Sequence, residues 1–278
     1  MREDWLWLMK KFFSNVFLPV AVIVLVYMYC GLLLGLIASA ALIIFWIYRY
    51  LPTIYMSLGH SYYLKDNDKM FDYFEKAYNT GRLTAEQKLN YAYMAMREGR
   101  MEKAERLFNA VLAYKQKPDL MARARLNYAL FLWKSGNLDE ALELTEEVFK
   151  DYKSSLSYGN YGYLLMMKGD LDKALEINLE AYEYNDANAV IADNLGQNYY
   201  LLGRYEESRE IFEKLIASKP QFPIPYYNYA KTLYALGEKT EALENLNTAL
   251  QYPFSSVAEL SRDEVENMIA KIEEELNQ

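Results

Sequence analysis

Hydrophobic and polar positions follow two patterns along this chain, and they change over near Arg49. From Val16 to Tyr48 a run of 33 residues carries no charge; beyond Arg49, charged and apolar positions alternate at helical spacing to the end. The uncharged run predicts membrane-embedded helix, because a spanning helix needs only about 20 apolar residues. One straight helix of that length would measure about 50 Å, against a hydrocarbon core of about 30 Å. Tilt takes up only part of such an excess. Two spans fit better, roughly residues 12–29 and 32–48, with a tight turn near Cys30 and Gly31. Aromatic residues fall at Trp5 and Trp7, at Tyr27 and Tyr29, and at Trp46, Tyr48 and Tyr50. A hairpin brings all three groups to membrane interfaces, where Trp and Tyr concentrate.

Arg2, Lys10 and Lys11 precede the apolar run and Arg49 follows it, while the predicted turn has no charge. Positive charge marks the cytoplasmic side, so both ends of the hairpin are expected there. Gly31, Gly35 and Ser39 are spaced four apart, the pattern that lets membrane helices approach closely, although small residues are common in such helices anyway. Pro19 is expected to kink or begin the first helix. Ala38-Ser39-Ala40 has the form of a signal cleavage site, but the apolar sequence before it exceeds a signal core of about 7–15 residues.

The second pattern repeats. The turns Glu98-Gly99-Arg100, Ser135-Gly136-Asn137, Lys168-Gly169-Asp170, Leu202-Gly203-Arg204 and Leu236-Gly237-Glu238 place glycines 37, 33, 34 and 34 residues apart. Seven residues before each glycine stands Ala92, Ala129, Gly162, Gly196 or Ala230; about five after it stands Ala104, Ala141, Ala174, Ser208 or Ala242. Small residues are what two antiparallel helices need at their closest crossing. Large residues flank them: Tyr91, Tyr128, Tyr161, Leu195 and Tyr229 before the turn, then Phe108, Phe212 and Leu246 after it.

A helix–turn–helix period of 34 with these residues resembles the tetratricopeptide repeat. The resemblance covers about Tyr55 to Phe254, and Pro220 also falls at a family position. An earlier repeat is visible in Leu58-Gly59-His60 followed by Phe71 to Ala77, although its turn, Lys65 to Asp68, lacks glycine. That makes six repeats over residues 51–254. Over 255–278, Val257, Leu260, Val265, Met268, Ile269 and Ile272 recur at helical spacing, and Ser261 with Glu264 has the form of a capping box. A terminal helix with a polar outer side covers the apolar face that a last repeat would expose.

The resemblance implies a concave groove lined by the first helix of each repeat. One position there is constant over five repeats: Asn90, Asn127, Asn160, Asn194 and Asn228, each nine residues before the turn glycine. A carboxamide can pair with both the N–H and the C=O of a peptide backbone. The row is similar to the asparagine ladder in the repeat domain of O-linked N-acetylglucosamine transferase; equally, it could satisfy groups within the solenoid. Other groove positions are apolar or aromatic: Tyr93, Met96, Leu130, Trp133, Tyr163, Met166, Tyr200, Tyr227 and Tyr234. Tyr and Trp are common interface anchors and Met adapts to varied partners. The carboxylate clamp of chaperone-binding repeats is incomplete. Arg123 is basic, but the equivalent residues are Glu86, Leu156, Val190 and Ile224.

Composition narrows the functions. A net charge of −8 and a pI near 5.0, with no basic cluster, argue against nucleic acid. One Cys and one His make a structural zinc site implausible. His60 and Cys30 form no nucleophile–base pair, and no phosphate loop follows a strand, so neither enzyme activity, a cofactor nor a small-molecule substrate is expected. The expected architecture is all-α: a short N-terminal segment (1–11), a transmembrane hairpin (12–50), six repeats forming a solenoid (51–254) and a capping helix (255–278). The expected function is a scaffold in the cell membrane whose cytoplasmic repeats bind a protein or peptide, with the lipid bilayer as its other partner. The alternatives are a structural subunit assembled through its transmembrane helices, and a repeat domain lying outside the membrane after a single crossing.

Overall fold

The computed structural model describes residues 13–254 and 260–277; the segment 1–11, with Arg2, Trp5, Trp7, Lys10 and Lys11, and Val257 near the chain end lie outside the described residues. Among the described residues the chain forms fourteen α-helices and no strand. They divide into two compact units, one up to Leu83 and one from Thr84 onward.

The first unit opens with a π-helical turn, Phe13–Phe17, that runs into α1 (Leu18–Cys30). Pro19 sits in the first turn of α1, just past the π-helical turn, and the carbonyl four residues back, that of Asn15, accepts instead from Trp46 Nε1 at 3.3 Å. Gly31 then reverses the chain at φ +85°, a conformation open mainly to glycine, and α2 (Leu32–Tyr62) returns alongside α1. Taken with the π-helical turn, the first helix runs over Phe13–Cys30, and both it and α2 are long and apolar enough to cross a membrane, with mean hydropathies of 2.0 and 2.1 in their most apolar windows. They meet where Tyr27 lies flat on Gly35. A Cβ at Gly35 would fall 2.2 Å from the ring, and the Tyr27 and Ser39 hydroxyls sit 3.2 Å apart. Gly35 and Ser39 lie at this contact within the hairpin, and Gly31 lies at the turn. Tyr27, expected at an interface, is instead turned into the helix–helix contact, while Tyr29 points outward.

No helix boundary falls at 48–51. α2 continues for 31 residues, about 46 Å, and its last turns belong to the first repeat. Pro52 lies inside it, and a proline removes the hydrogen bond to the carbonyl four residues back, here Tyr48. Arg82 repairs the gap. Its guanidinium donates to the Tyr48 carbonyl oxygen and stacks 3.5 Å from the centre of the Tyr48 ring. With that carbonyl satisfied the helix runs on through the proline, which is why the composition change near Arg49 is not an element boundary. α3 (Asn67–Asn79) completes the first repeat, its Phe74 ring filling the space that Gly59 leaves. In the glycine-free turn, Leu64 takes up φ +62°, a left-handed conformation that costs a non-glycine residue about 1–2 kcal/mol. The side chain of Asp66 caps α3 by accepting from Lys69 N at 2.9 Å.

The second unit stacks five helix pairs and a final helix: α4 (Ala85–Arg97) with α5 (Met101–Leu112), α6 (Pro118–Lys134) with α7 (Leu138–Asp151), α8 (Ser155–Lys168) with α9 (Leu171–Tyr184), α10 (Ala189–Leu201) with α11 (Tyr205–Ala217), α12 (Ile224–Ala235) with α13 (Lys239–Ala249), and α14 (Arg262–Leu276). Every turn glycine is left-handed, from φ +72° at Gly99 to +91° at Gly136. After each, the next N–H reaches back to the carbonyl five residues earlier, as from Arg100 to Ala95 and from Glu238 to Leu233, closing a Schellman motif. The small residues sit at the crossings: Ala92, Ala104, Ala129, Ala141, Ala174, Ala230 and Ala242 are fully buried. At Gly196 an added Cβ would stand 2.7 Å from the Phe212 ring. On α14 the Ser261–Glu264 capping box forms in both directions, and Val265 and Ile272 bury against the last repeat with Leu260.

Candidate protein-binding face

The first helices of neighbouring repeats, α4, α6, α8, α10 and α12, contact one another in sequence and so line one continuous face of the second unit. Their asparagines divide into two groups. Asn90 is exposed and Asn127 half-buried. Asn160, Asn194 and Asn228 are only 7%, 3% and 5% exposed. Asn160 Nδ2 donates to the Leu126 carbonyl at 3.0 Å, and Asn194 Nδ2 to the Gly159 carbonyl at 2.8 Å. Asn228 Nδ2 reaches the Asp193 carboxylate at 3.2 Å. In each case the acceptor belongs to the residue just before the asparagine of the previous repeat. A helix carbonyl has a second lone pair to offer, so the Asn160 and Asn194 bonds tie repeat to repeat without breaking the helix, and Asn228 does so through a side-chain carboxylate. Of the two readings open from sequence, the amides of these three serve the internal one, because a neighbouring first helix supplies an acceptor within reach. Only Asn90 and Asn127 present a carboxamide at the surface.

The aromatic residues are half-buried, each with part of its ring at the surface. Trp133 and Tyr163 come together edge to face, ring centres 5.1 Å apart, bridging two repeats. Tyr93 lies under Arg97 on its own helix at 6.0 Å. Tyr234 is engaged elsewhere: its hydroxyl donates to Glu275 Oε1 at 2.7 Å and Lys271 lies 4.7 Å over its ring, so α14 claims it. Tyr200 faces Lys231, whose ammonium stands 4.9 Å from the Tyr200 ring and 5.4 Å from Tyr227.

Sequence reading overlooked Lys231. Its Nζ donates to Asn228 Oδ1 at 3.3 Å, and burial holds the ammonium below the usual lysine range, partly offset by the charge of Asp193. The available signal was positional. Lys231 lies six residues before its turn glycine, where other repeats carry Tyr93, Leu130 and Tyr163. Arg123, the remnant of a clamp, is already engaged by Glu86 at 3.0 Å and Asp119 at 3.2 Å. Glu86 occupies the equivalent position in the preceding repeat, so the two clamp positions neutralise each other. The Tyr152 hydroxyl and Arg123 hold the Asp119 carboxyl below its ordinary range.

A second omission lies behind the face. Nine residues after the turn glycine, where Phe108, Phe212 and Leu246 fill the core, the third and fourth repeats carry Thr145 and Asn178. Both are buried. Thr145 donates to the Ala141 carbonyl at 2.8 Å, and Asn178 Nδ2 to Asn198 Oδ1 at 3.0 Å. Asn178 is also what makes Gly162 necessary, since a Cβ there would stand 1.9 Å from its Oδ1.

Residues 95–159 and 194–256 each match a tetratricopeptide-repeat family model. The chain is similar to a tetratricopeptide repeat protein from Parabacteroides merdae, at 14% identity over 94% of this chain and 99% of that one, with a TM-score of 0.66. It is also similar to a thermophilic TPR protein from Thermus thermophilus, at 21% identity over 68% and 98% of the two chains and a TM-score of 0.56. A third likeness is to Pseudomonas aeruginosa pilF, at 17% identity over 82% and 99% and a TM-score of 0.55. Identities this low speak to the fold: a helix–turn–helix solenoid.

Proposed function

From the premise that this chain is a tetratricopeptide-repeat protein, we propose that it is a scaffold held in the cell membrane by its α1–α2 hairpin, with a protein or peptide partner along the face of its first helices. The observation that carries this reading is the continuity of α2. A helix that begins in the apolar hairpin and ends in the first repeat would hold that repeat directly at the membrane surface and tether the others to it. There, confinement raises the effective concentration of whatever the face binds. The anchors suggested for the partner are Trp133, Tyr163, Tyr93 and Tyr200, with the exposed Asn90 and the half-buried Asn127 as carboxamides.

In-cell crosslinking followed by purification tests the binding face. Trp133→Ala/Tyr163→Ala removes surface aromatic area and leaves the buried asparagine bonds intact. A partner captured by the native chain and lost from the folded double variant supports the face; equal capture sinks it. Cys30, exposed at the hairpin turn and the only cysteine, tests the topology. If the repeats are cytoplasmic, an impermeant maleimide added to intact cells labels Cys30 but not a cysteine introduced at Lys115. The reverse pattern would put the repeats outside.

A structural role through the hairpin is favoured by one observation: Leu33, Leu34, Leu36 and Ile37 all point outward from α2. Polar substitutions at Leu33 and Ile37 would then disrupt a complex that the groove variant leaves assembled.

A further inference from the structure

The junction between the second and third repeats departs from the others in three ways. The spacing of turn glycines across it is 37 residues against 33 or 34 elsewhere. The additional residues lengthen α6 to 17 residues, against 13, 14, 13 and 12 for α4, α8, α10 and α12. Met121 lies in the extra turn.

The second departure is a missing plug. At the next junction the Tyr158 ring packs edge-on against Phe149, 4.9 Å between centres, and closes the space between a second helix and the following first helix. The equivalent residues one repeat earlier are Arg125, eleven before its glycine, and Leu112, thirteen after its own. Leucine is smaller than phenylalanine, and the arginine turns out to pair with Glu147 on α7.

The third departure is what remains: a cleft of about 430 Å³ between α5, α6 and α7. Its apolar lining is Leu112, Met121, Tyr128 and Leu144, all half-buried, together with the buried Leu132. Along α7 its edge carries Glu140, Glu143 and Glu147, each exposed, on the same helix face as Leu144. Burial, with the charges of Glu140 and Glu105, pushes the Tyr128 phenol above its usual range. The cleft thus joins an apolar floor to an acidic edge at helical spacing, with Arg125 as the basic group in its lining.

We propose that this cleft is a second docking surface, separate from the face of the first helices, and that its occupant is a basic amphipathic helix of a partner protein. Leucine-like side chains of such a helix would enter the space that Tyr and Phe fill at the next junction. Its Lys or Arg residues, three and four apart, would meet Glu140 and Glu143 and would share Glu147 with Arg125. Its residues on α6, Met121, Arg125, Tyr128 and Leu132, are not those of the first-helix face, Asn127, Leu130 and Trp133, so the cleft can be filled while another segment occupies that face.

The test uses the full chain in nanodiscs of zwitterionic lipid. The probe is a synthetic leucine–lysine amphipathic peptide of about 18 residues, some five helical turns, carrying a benzophenone on its apolar side. Photocrosslinked adducts are mapped by mass spectrometry, with empty nanodiscs as the background. The expected adducts fall on α6 and α7, around Met121 and Leu144. Two variants should each lower their yield about tenfold or more: Glu140→Lys/Glu143→Lys/Glu147→Lys, which reverses the edge, and Met121→Trp, which fills the floor at unchanged charge. Three results overturn the proposal. One is adducts scattered over the acidic surface or confined to the hairpin. Another is loss in the charge variant with full yield in Met121→Trp, which would mark unspecific attraction. The last is no adduct above the empty-nanodisc background, which would mean that the cleft does not take a basic amphipathic helix.

Discussion

The hairpin and the repeat array are built from the same element and bury opposite surfaces. In α1 and the first half of α2, the apolar side chains point outward and the one fully buried residue is Gly35, pressed under Tyr27. In α4 to α13 the apolar side chains point inward, and Phe108, Phe212, Leu126 and Leu246 are shielded from solvent. The difference teaches what each region needs from its surroundings. The array gains its stability from removing side chains from water, and its helices depend on one another. The hairpin keeps its apolar side chains outside, so its fold depends on backbone hydrogen bonds and a small contact of Tyr27, Gly35 and Ser39.

The sharpest way to break this comparison is a matched pair of truncations. Phe212→Ala should destabilise the repeats by about 3–5 kcal/mol, read by urea unfolding of the detergent-solubilised chain. Leu33→Ala, which also removes a large side chain, should leave the same curve within about 0.5 kcal/mol, because Leu33 packs on no core. Comparable losses would mean the outward face of the hairpin is packed against protein.

Gly35→Leu comes next. It forces Tyr27 off α2 and should cost the hairpin about 1–3 kcal/mol, seen as faster backbone hydrogen exchange in α1 with the repeats unchanged. Exchange rising across α8 to α13 instead would show that the units are energetically inseparable. Asn194→Ala removes the bond to the Gly159 carbonyl and should cost about 1 kcal/mol, loosening the α8–α10 contact. No change in exchange there would return Asn194 to the list of candidate peptide contacts.

A pH dependence is confined to alkaline conditions. Burial and the Tyr252 hydroxyl push the Tyr226 phenol up to about 12. A phenol whose folded value lies above its unfolded value of about 10 contributes stability that is complete below pH 10 and is lost as pH rises towards 12. Alkaline unfolding followed at the tyrosinate absorbance should therefore be shallower in Tyr226→Phe. An identical slope would assign the alkaline transition to other tyrosines.

Much of this was legible because single residues encode it. Gly31 and the five turn glycines mark places where φ must be positive, and Ala92 or Ala104 mark helix crossings. The capping box at Ser261 is a local pairing four residues wide. The asparagines were equally visible, yet their role was not. A carboxamide nine residues before a glycine reads the same whether it faces a groove or the preceding helix, and the choice rests on an acceptor 34 or 35 residues away. Thr145 and Asn178 went unread for a related reason: polar residues at core positions make sense only once their partners Ala141, Asn198 and Gly162 are in place.

By itself, the sequence determined the period, the turns, the apolar hairpin and the terminal cap, all of which follow from steric and solvation preferences acting within a few residues. The tertiary structure alone decided the rest. It carried α2 through Pro52, because Arg82 caps a carbonyl 34 residues away. It turned three asparagines inward and handed Tyr234 to α14. It also left a cleft where Arg125 and Leu112 stand in place of a tyrosine and a phenylalanine. Each of these outcomes depends on which distant group supplies an acceptor, a donor or a filled volume, and that is settled only when the helices pack.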